Sequence, residues 1–125
     1  MKLVKEIGCK RISIGLEHGN ENYRKKFMYR NYSNETFRRA CRILKEQGIS
    51  FSVNLIIGVP YDTRQMIFEA IELLRGVKPQ GVSTCIFNPY HGSDLRNVAF
   101  AGALKKRSQS SLLVVFTAGA GDLER

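Results

Sequence analysis

Residues 49–63 hold the pattern that decides the fold: Ile49-Ser50-Phe51-Ser52-Val53-Asn54-Leu55-Ile56-Ile57-Gly58-Val59-Pro60-Tyr61-Asp62-Thr63. From Ile49 to Ile57 the chain alternates. Ile49, Phe51, Val53, Leu55 and Ile57 share one face, and Ser50, Ser52, Asn54 and Ile56 share the other. A period of two marks a strand with one apolar face. Gly58 to Thr63 then form a turn, with Asp62 or Thr63 placed to cap a helix running to about Arg75. Ile67, Ala70, Ile71 and Leu74 are spaced to line its buried stripe, and Gly76 and Pro79 close it.

The same cadence extends in both directions. Upstream, Arg11 to Glu17 alternate Ile12, Ile14 and Leu16 with Arg11, Ser13, Gly15 and Glu17. Residues 2–7 before them carry Leu3, Val4 and Ile7 at helical spacing, stopped by Gly8. Between His18 and Tyr32 the sequence predicts a long loop. Ser33, or Asn34, then caps a helix to about Gln47 that places Phe37, Ala40, Cys41 and Leu44 on one face. Downstream, Val82 to Phe87 form a third strand, ended by Asn88-Pro89.

The order is α-β-α-β-α-β, with about 25–30 residues from the end of one strand to the start of the next, as parallel βαβ units require. The second face of each strand is polar, with Ser13, Gly15 and Glu17, then Ser52 and Asn54, then Ser83 and Cys85. A doubly wound sheet buries both faces. A polar inner face predicts instead an arc of barrel wall around a ligand cavity. Three strands leave two open edges, so the sequence predicts marginal stability, a homo-oligomer paired through those edges, or complementation by another chain.

Composition narrows the classes. With 43% hydrophobic and 25% charged residues the chain is neither disordered nor membrane-spanning, and the longest apolar run, Leu112 to Phe116, is too short for a bilayer. Charges at Lys5, Glu6, Lys10 and Arg11 interrupt any secretory core, which makes the cytoplasm the expected compartment. Cys9, Cys41 and Cys85 are scattered without CxxC or CxxxCxxC spacing and are expected to be small buried side chains rather than metal ligands. The net charge of +9 is concentrated between Arg24 and Lys45, where eight Lys or Arg face one acidic residue, Glu35. A solvated helix face accounts for that run. Its interleaved Tyr23, Phe27, Tyr29 and Tyr32 also fit a nucleic-acid-binding module, with RNA or transfer RNA as partner.

In parallel βα folds ligands collect at the carboxyl ends of the strands. Those ends are Glu17-His18-Gly19-Asn20, Ile57-Gly58-Val59-Pro60 and Phe87-Asn88-Pro89-Tyr90-His91-Gly92. Glu17, on the polar face, suits the two hydroxyls of a ribose diol, unless it pairs with an arginine such as Arg11. Glu17, His18 and His91 together have the chemistry to hold a hydrolytic metal, but loop histidines without short spacing ordinarily face solvent, and no metal site is assigned.

The strand ends, taken in order, resemble radical S-adenosylmethionine (radical SAM) barrels, particularly the group often fused to a cobalamin-binding domain. The residues carrying the resemblance begin with Lys5-Glu6-Ile7-Gly8, Arg11-Ile12-Ser13-Ile14-Gly15-Leu16-Glu17-His18-Gly19-Asn20 and Arg30-Asn31-Tyr32-Ser33. They continue with Leu44-Lys45-Glu46-Gln47-Gly48-Ile49, Ile56-Ile57-Gly58-Val59-Pro60 and Pro89-Tyr90-His91-Gly92-Ser93-Asp94-Leu95. The resemblance implies strands four to six of a TIM-like (β/α)6 barrel over residues 1–99, with residues 100–125 an unassigned tail, non-native or frameshifted. It implies that Ser13 and Glu17 lie on the strand that meets the ribose of S-adenosylmethionine. By the same resemblance Asn54, Ile56, Ile57 and Gly58 hold the adenine, and Phe87 and Pro89 close over it.

The family's chemistry is reductive cleavage of S-adenosylmethionine by a [4Fe-4S] cluster, giving a 5′-deoxyadenosyl radical. The CxxxCxxC that ligates the cluster does not occur in this sequence, so the chain reads as a fragment, inactive alone, of a larger enzyme whose substrate is not legible. It departs from the family pattern at four positions. Ser is usual where His18 stands, Gly where Tyr61 stands, Glu where Asp62 stands and Pro where His91 stands.

Overall fold

A computed structural model describes residues 2–103. Eight elements follow one another: α1 (Lys2–Glu6), β1 (Arg11–Glu17), α2 (Glu21–Phe27), α3 (Asn34–Glu46), β2 (Ser50–Ile57), α4 (Arg64–Val77), β3 (Gly81–Ile86) and α5 (Asp94–Ala103). The strands form one parallel sheet in the order β1-β2-β3. Ile12 pairs with Phe51 and Val53 with Val82, in the register that the apolar alternation predicts. Among the described residues, β1 and β3 each pair on one side only. No helix among them is long and apolar enough to cross a membrane.

The core lies between the sheet and the helices α3 and α4. Leu16 of β1 and Phe51, Val53 and Leu55 of β2 meet Phe37, Cys41 and Leu44 of α3 and Ala70, Leu73 and Val77 of α4. Phe51 and Val53 are fully sealed from water because they stand on the central strand. Helices α3 and α4 each start on a hydrogen-bonding cap. The Ser33 hydroxyl accepts from the Thr36 N–H at 3.1 Å, and the Thr63 hydroxyl from the Met66 N–H at 3.3 Å. Thr63, not Asp62, is therefore the cap of α4. At the start of β3, the Gln80 side-chain oxygen accepts from the Phe51 N–H at 2.8 Å while the Gln80 N–H donates to the Phe51 carbonyl at 3.0 Å.

Several expectations need correction. The loop predicted over 18–32 contains α2, seven residues capped by Asn20, whose side chain accepts from the Tyr23 N–H at 2.9 Å. Helix α5 was also not evident in the sequence. The stripe predicted for α4 is rotated. Ala70, Leu73 and Val77 are buried, whereas Ile67 and Ile71 are exposed beside Phe68. On α3, Ala40 is exposed beside its buried neighbours. Of the cysteines only Cys41 is buried; Cys9 is half-buried and Cys85 exposed. The apolar run Leu112 to Phe116 and most of the 100–125 tail lie outside the described residues.

Burial has a consequence at alkaline pH. Desolvation pushes the Cys41 thiol from its ordinary 9.0 up to about 11. Desolvation, with the Asp62 carboxylate nearby, raises the Tyr23 hydroxyl from 10.0 to about 12. Both groups are neutral in the fold and would ionise earlier in the unfolded chain. Their contribution is therefore complete below pH 9 and is lost as pH rises through 11 for Cys41 and through 12 for Tyr23. Melting temperature recorded against pH should fall from about pH 9 upward in the native chain. In Cys41→Ala the fall should begin about one pH unit later, where the tyrosines take over.

Candidate functional site

Because the sheet is parallel, β1, β2 and β3 end at the same pole, at Glu17, Ile57 and Ile86. Helices α3 and α4 cover one side. On the uncovered side Gly15 lies opposite Asn54, Asn54 opposite Ser83, and Ile56 opposite Cys85. Asn54, Ser83 and Cys85 are exposed there, and the Ser13 hydroxyl donates to Asn54 Oδ1 at 3.3 Å. The polar inner face predicted from alternation is thus formed, and among the described residues no helix layer covers it.

At the end of β1 the register slips between Gly15 and Glu17, and Glu17 adopts a left-handed backbone, φ +66°. Such a conformation is uncommon for a residue with a Cβ and marks a place where the surrounding structure overrides local preference. The slip turns the Glu17 side chain back along the strand. Its carboxylate occupies the space that a Cβ on residue 15 would fill. Since Leu16 is buried on the helix side, this places the carboxylate on the uncovered face. The arginine near it is Arg30, not Arg11, with Nη2 3.2 Å from Glu17 Oε1. Both side chains keep contact with solvent.

The β2 end is a tight turn. Gly58 (φ +71°) and Tyr61 (φ +62°) are both left-handed. That backbone explains why glycine is usual at the Tyr61 position. One Asp62 oxygen, Oδ2, accepts from the Gly58 N–H at 3.2 Å, closing the turn. At the β3 end the Phe87 N–H extends the ladder to the Ile57 carbonyl at 2.8 Å. Phe87, Ile56 and Ile57 are half-buried and Pro89 is exposed. Ser13, Glu17, Asn54, Ile56, Ile57, Gly58, Phe87 and Pro89 therefore all belong to the three-stranded sheet or its carboxyl-end turns.

His18 is not presented to a ligand. It is buried, stacked on the Tyr23 ring at 4.3 Å between centroids. Its Nδ1 accepts from the Asn20 N–H at 3.2 Å, which leaves the proton on Nε2, 3.3 Å from Asp62 Oδ1. His91 is exposed on the far turn. Glu17, His18 and His91 thus do not converge, and no group of three metal-ligating side chains occurs among the described residues.

The basic segment also differs from expectation, and Arg24 is the functional-site residue the sequence did not single out. It is completely buried. Nη1 donates to the carbonyls of His18 and Gly19 at 2.6 and 3.2 Å; Nη2 donates to the Tyr32 carbonyl at 3.3 Å and to Asn34 Oδ1 at 2.7 Å. The guanidinium lies 4.8 Å from the Tyr32 ring centroid, and desolvation lowers its affinity for a proton. It folds residues 18–34 around itself and so fixes the segment that follows Glu17. Tyr23 is buried, and the Tyr32 hydroxyl points at the carbonyls of Gly15 and Leu16, at 3.0 and 3.1 Å. Phe27 is half-buried beside Tyr23. Tyr29 alone of the four aromatic residues offered as a stacking platform is largely exposed, which disfavours the RNA reading.

The fit to the implied groups divides. The carboxylate cradled over Gly15, the Ser13–Asn54 pair and the Gly58 turn form a donor and acceptor set suited to a ribose and a flat base. Cys9 precedes β1, Cys41 lies beneath the sheet and Cys85 on its opposite face. They do not fit the ligand set of an iron–sulfur cluster.

Comparisons with known proteins agree with this architecture. No curated protein matches the sequence. Among solved structures, the chain is similar to coproporphyrinogen III oxidase from Escherichia coli, described as a radical SAM enzyme, with a TM-score of 0.69 and 17% identity. That similarity covers 78% of this chain and 23% of the other, so the chain spans about a quarter of the length of the protein it matches. At that identity the likeness establishes the fold, a three-stranded portion of a TIM-like α/β barrel. The sequence model of the Radical SAM superfamily matches residues 1–74, more than half of the chain, and the chain belongs to that superfamily.

Proposed function

We propose that residues 11–89 form the part of a radical SAM barrel that holds the nucleoside of S-adenosylmethionine, corresponding to strands four to six. The observation that carries this reading is the Glu17 carboxylate, held over Gly15 on the uncovered face beside Asn54. Glu17 would accept from the ribose hydroxyls. Ser13 and Asn54 would meet the ribose edge, Ile56 and Ile57 the base, and the Gly58 turn would let backbone approach it. Phe87 and Pro89 would close the outer side and exclude water. With a [4Fe-4S] cluster ligated by residues other than these, the bound cosubstrate supplies radical chemistry by reductive cleavage. The order of the motifs supports placement near the cobalamin-associated group, and the substrate is left to residues that vary between chemistries on one barrel.

Titrating S-adenosylmethionine into the ¹⁵N-labelled 125-residue chain tests this reading. The amides of Glu17, Asn54 and Gly58 should shift together and saturate. Unmoved spectra at millimolar ligand would sink the proposal.

Gly15→Ala gives a sharper version. The atom nearest the new methyl is the end of a flexible side chain, so unfolding stability should change by no more than about 0.5 kcal/mol. The Glu17 carboxylate must nevertheless leave its cradle. Affinity should fall about tenfold, the equivalent of one charge-assisted hydrogen bond of about 1.4 kcal/mol.

A further inference from the structure

The ends of β1 and β2 are joined by contacts that the nucleoside-binding reading does not use. Tyr23, four residues after the His18-Gly19 turn of β1, donates its hydroxyl to the Pro60 carbonyl at 2.7 Å. His18, sealed behind it, donates from Nε2 to Asp62 Oδ1, and the other Asp62 oxygen takes the Gly58 N–H. Two of these contacts, from Tyr23 and His18, reach the turn 58–62 from the β1 side, and the third closes the turn on itself. The turn needs such a restraint, because Tyr61 sits in a left-handed conformation that a side chain disfavours. Asp62 is the shared link. Its side chain is about nine-tenths buried, and its two oxygens serve His18 after β1 and Gly58 after β2.

We propose that His18 is a positioning residue for the adenine side of the site: acting through Asp62, it sets the Gly58 turn in the conformation that meets the ligand. The inference rests on the nucleoside-binding reading for its ligand, but the coupling between His18 and Gly58 stands or falls by itself. The chain of contacts runs from the Asn20 N–H, which fixes the ring tautomer, through Nε2 and the carboxylate to the Gly58 N–H. A ring that only filled space would need neither nitrogen.

Two near-isosteres separate the nitrogens. His18→Asn keeps an acceptor where Nδ1 stands and loses the donor to Asp62. His18→Gln places an amide N–H near the Nε2 position and keeps that donor. In the full ¹⁵N-labelled chain, the Gly58 amide resonance should move in His18→Asn and return toward its native position in His18→Gln. S-adenosylmethionine affinity should drop about tenfold in the first and stay within about twofold of native in the second. A Gly58 amide that ignores both changes overturns the proposal. So does one that moves equally in the two, since packing alone would then explain it.

Should His18→Asn not fold, Asp62→Asn serves instead. The amide keeps an oxygen at only one of the two positions that His18 and Gly58 use, so the Gly58 resonance should shift, and an unmoved resonance again overturns the coupling. If native chain does not bind S-adenosylmethionine while the Gly58 resonance behaves as expected, the nucleoside reading fails and the coupling of His18 to Gly58 survives.

Discussion

Gly19→Ala is expected to lower unfolding stability by about 3 kcal/mol, the upper range for overpacking a rigid contact. Gly19 lies in the turn after β1, directly against the backbone and methyl of Ala70 on α4. A methyl on residue 19 would overlap the Ala70 main chain, which cannot rotate away as a side chain does. The turn and α4 must separate, and Ala70 belongs to the core beneath them. Asn20 is tied to the same helix, donating to Glu69 at 2.8 Å, so that bond should be lost with the packing. Urea denaturation followed by far-UV circular dichroism measures the loss. A midpoint unchanged from native would contradict the packing described. The contrast with Gly15→Ala is physical: at residue 15 the obstacle is a mobile carboxylate, at residue 19 a helix backbone.

Arg24→Met is expected to cost about 3 kcal/mol as well, by a different route. Methionine fills comparable space and removes the penalty of holding a charge away from water, which in some proteins makes such a replacement favourable. Here the balance runs the other way, because three of the guanidinium's partners are backbone carbonyls, of His18, Gly19 and Tyr32, that packing cannot replace. The Gly19 carbonyl would keep the Asn34 amide at 3.2 Å, but the buried His18 carbonyl would lose its 2.6 Å donor. Each acceptor left dry and unpaired costs about 1–3 kcal/mol. Arg24→Lys should recover less than half of the loss, since one ammonium cannot reach acceptors on both sides of a planar fork. The same denaturation series decides it, and lysine equal to arginine would show that charge alone suffices. The Glu17 resonance should also shift in both variants, because Arg24 holds the segment that follows it.

Much of the fold was legible because the strands obey a single rule. Arg11 to Glu17 and Ser50 to Ile57 alternate cleanly, and their observed limits fall within a residue of those the alternation marks. Helix α2 was hidden by its length: seven residues give one apolar repeat, Tyr23 to Phe27, and the Asn20 cap is the only further signal. The buried side of α4 was misread for the opposite reason. Ile67, Phe68, Ala70, Ile71, Leu73, Leu74 and Val77 surround most of the helix, so periodicity does not choose a face, and contact with the sheet does.

At the site, strand position placed Glu17 and Asn54 on the polar face. It gave no warning that Glu17 would be left-handed, because that follows from a register slip between two chains of hydrogen bonds. Arg24 was counted among surface cations because a charge in a sequence carries no sign of burial. The carbonyls that surround it exist as a cage only once residues 18–34 have folded.

The central position of β2 governs how the molecule can assemble. Among the described residues β1 and β3 are not paired with each other, and the strand pairing passes through Ser50 to Ile57. Each pairing closes a crossover, residues 18–49 for the first and 58–80 for the second, before any ladder bond forms, which makes the search slow relative to a helical protein of this size. Amides of β2 should therefore be the last to exchange with deuterated solvent. Those of β1 and β3 should exchange sooner, by partial openings that leave the middle strand in place.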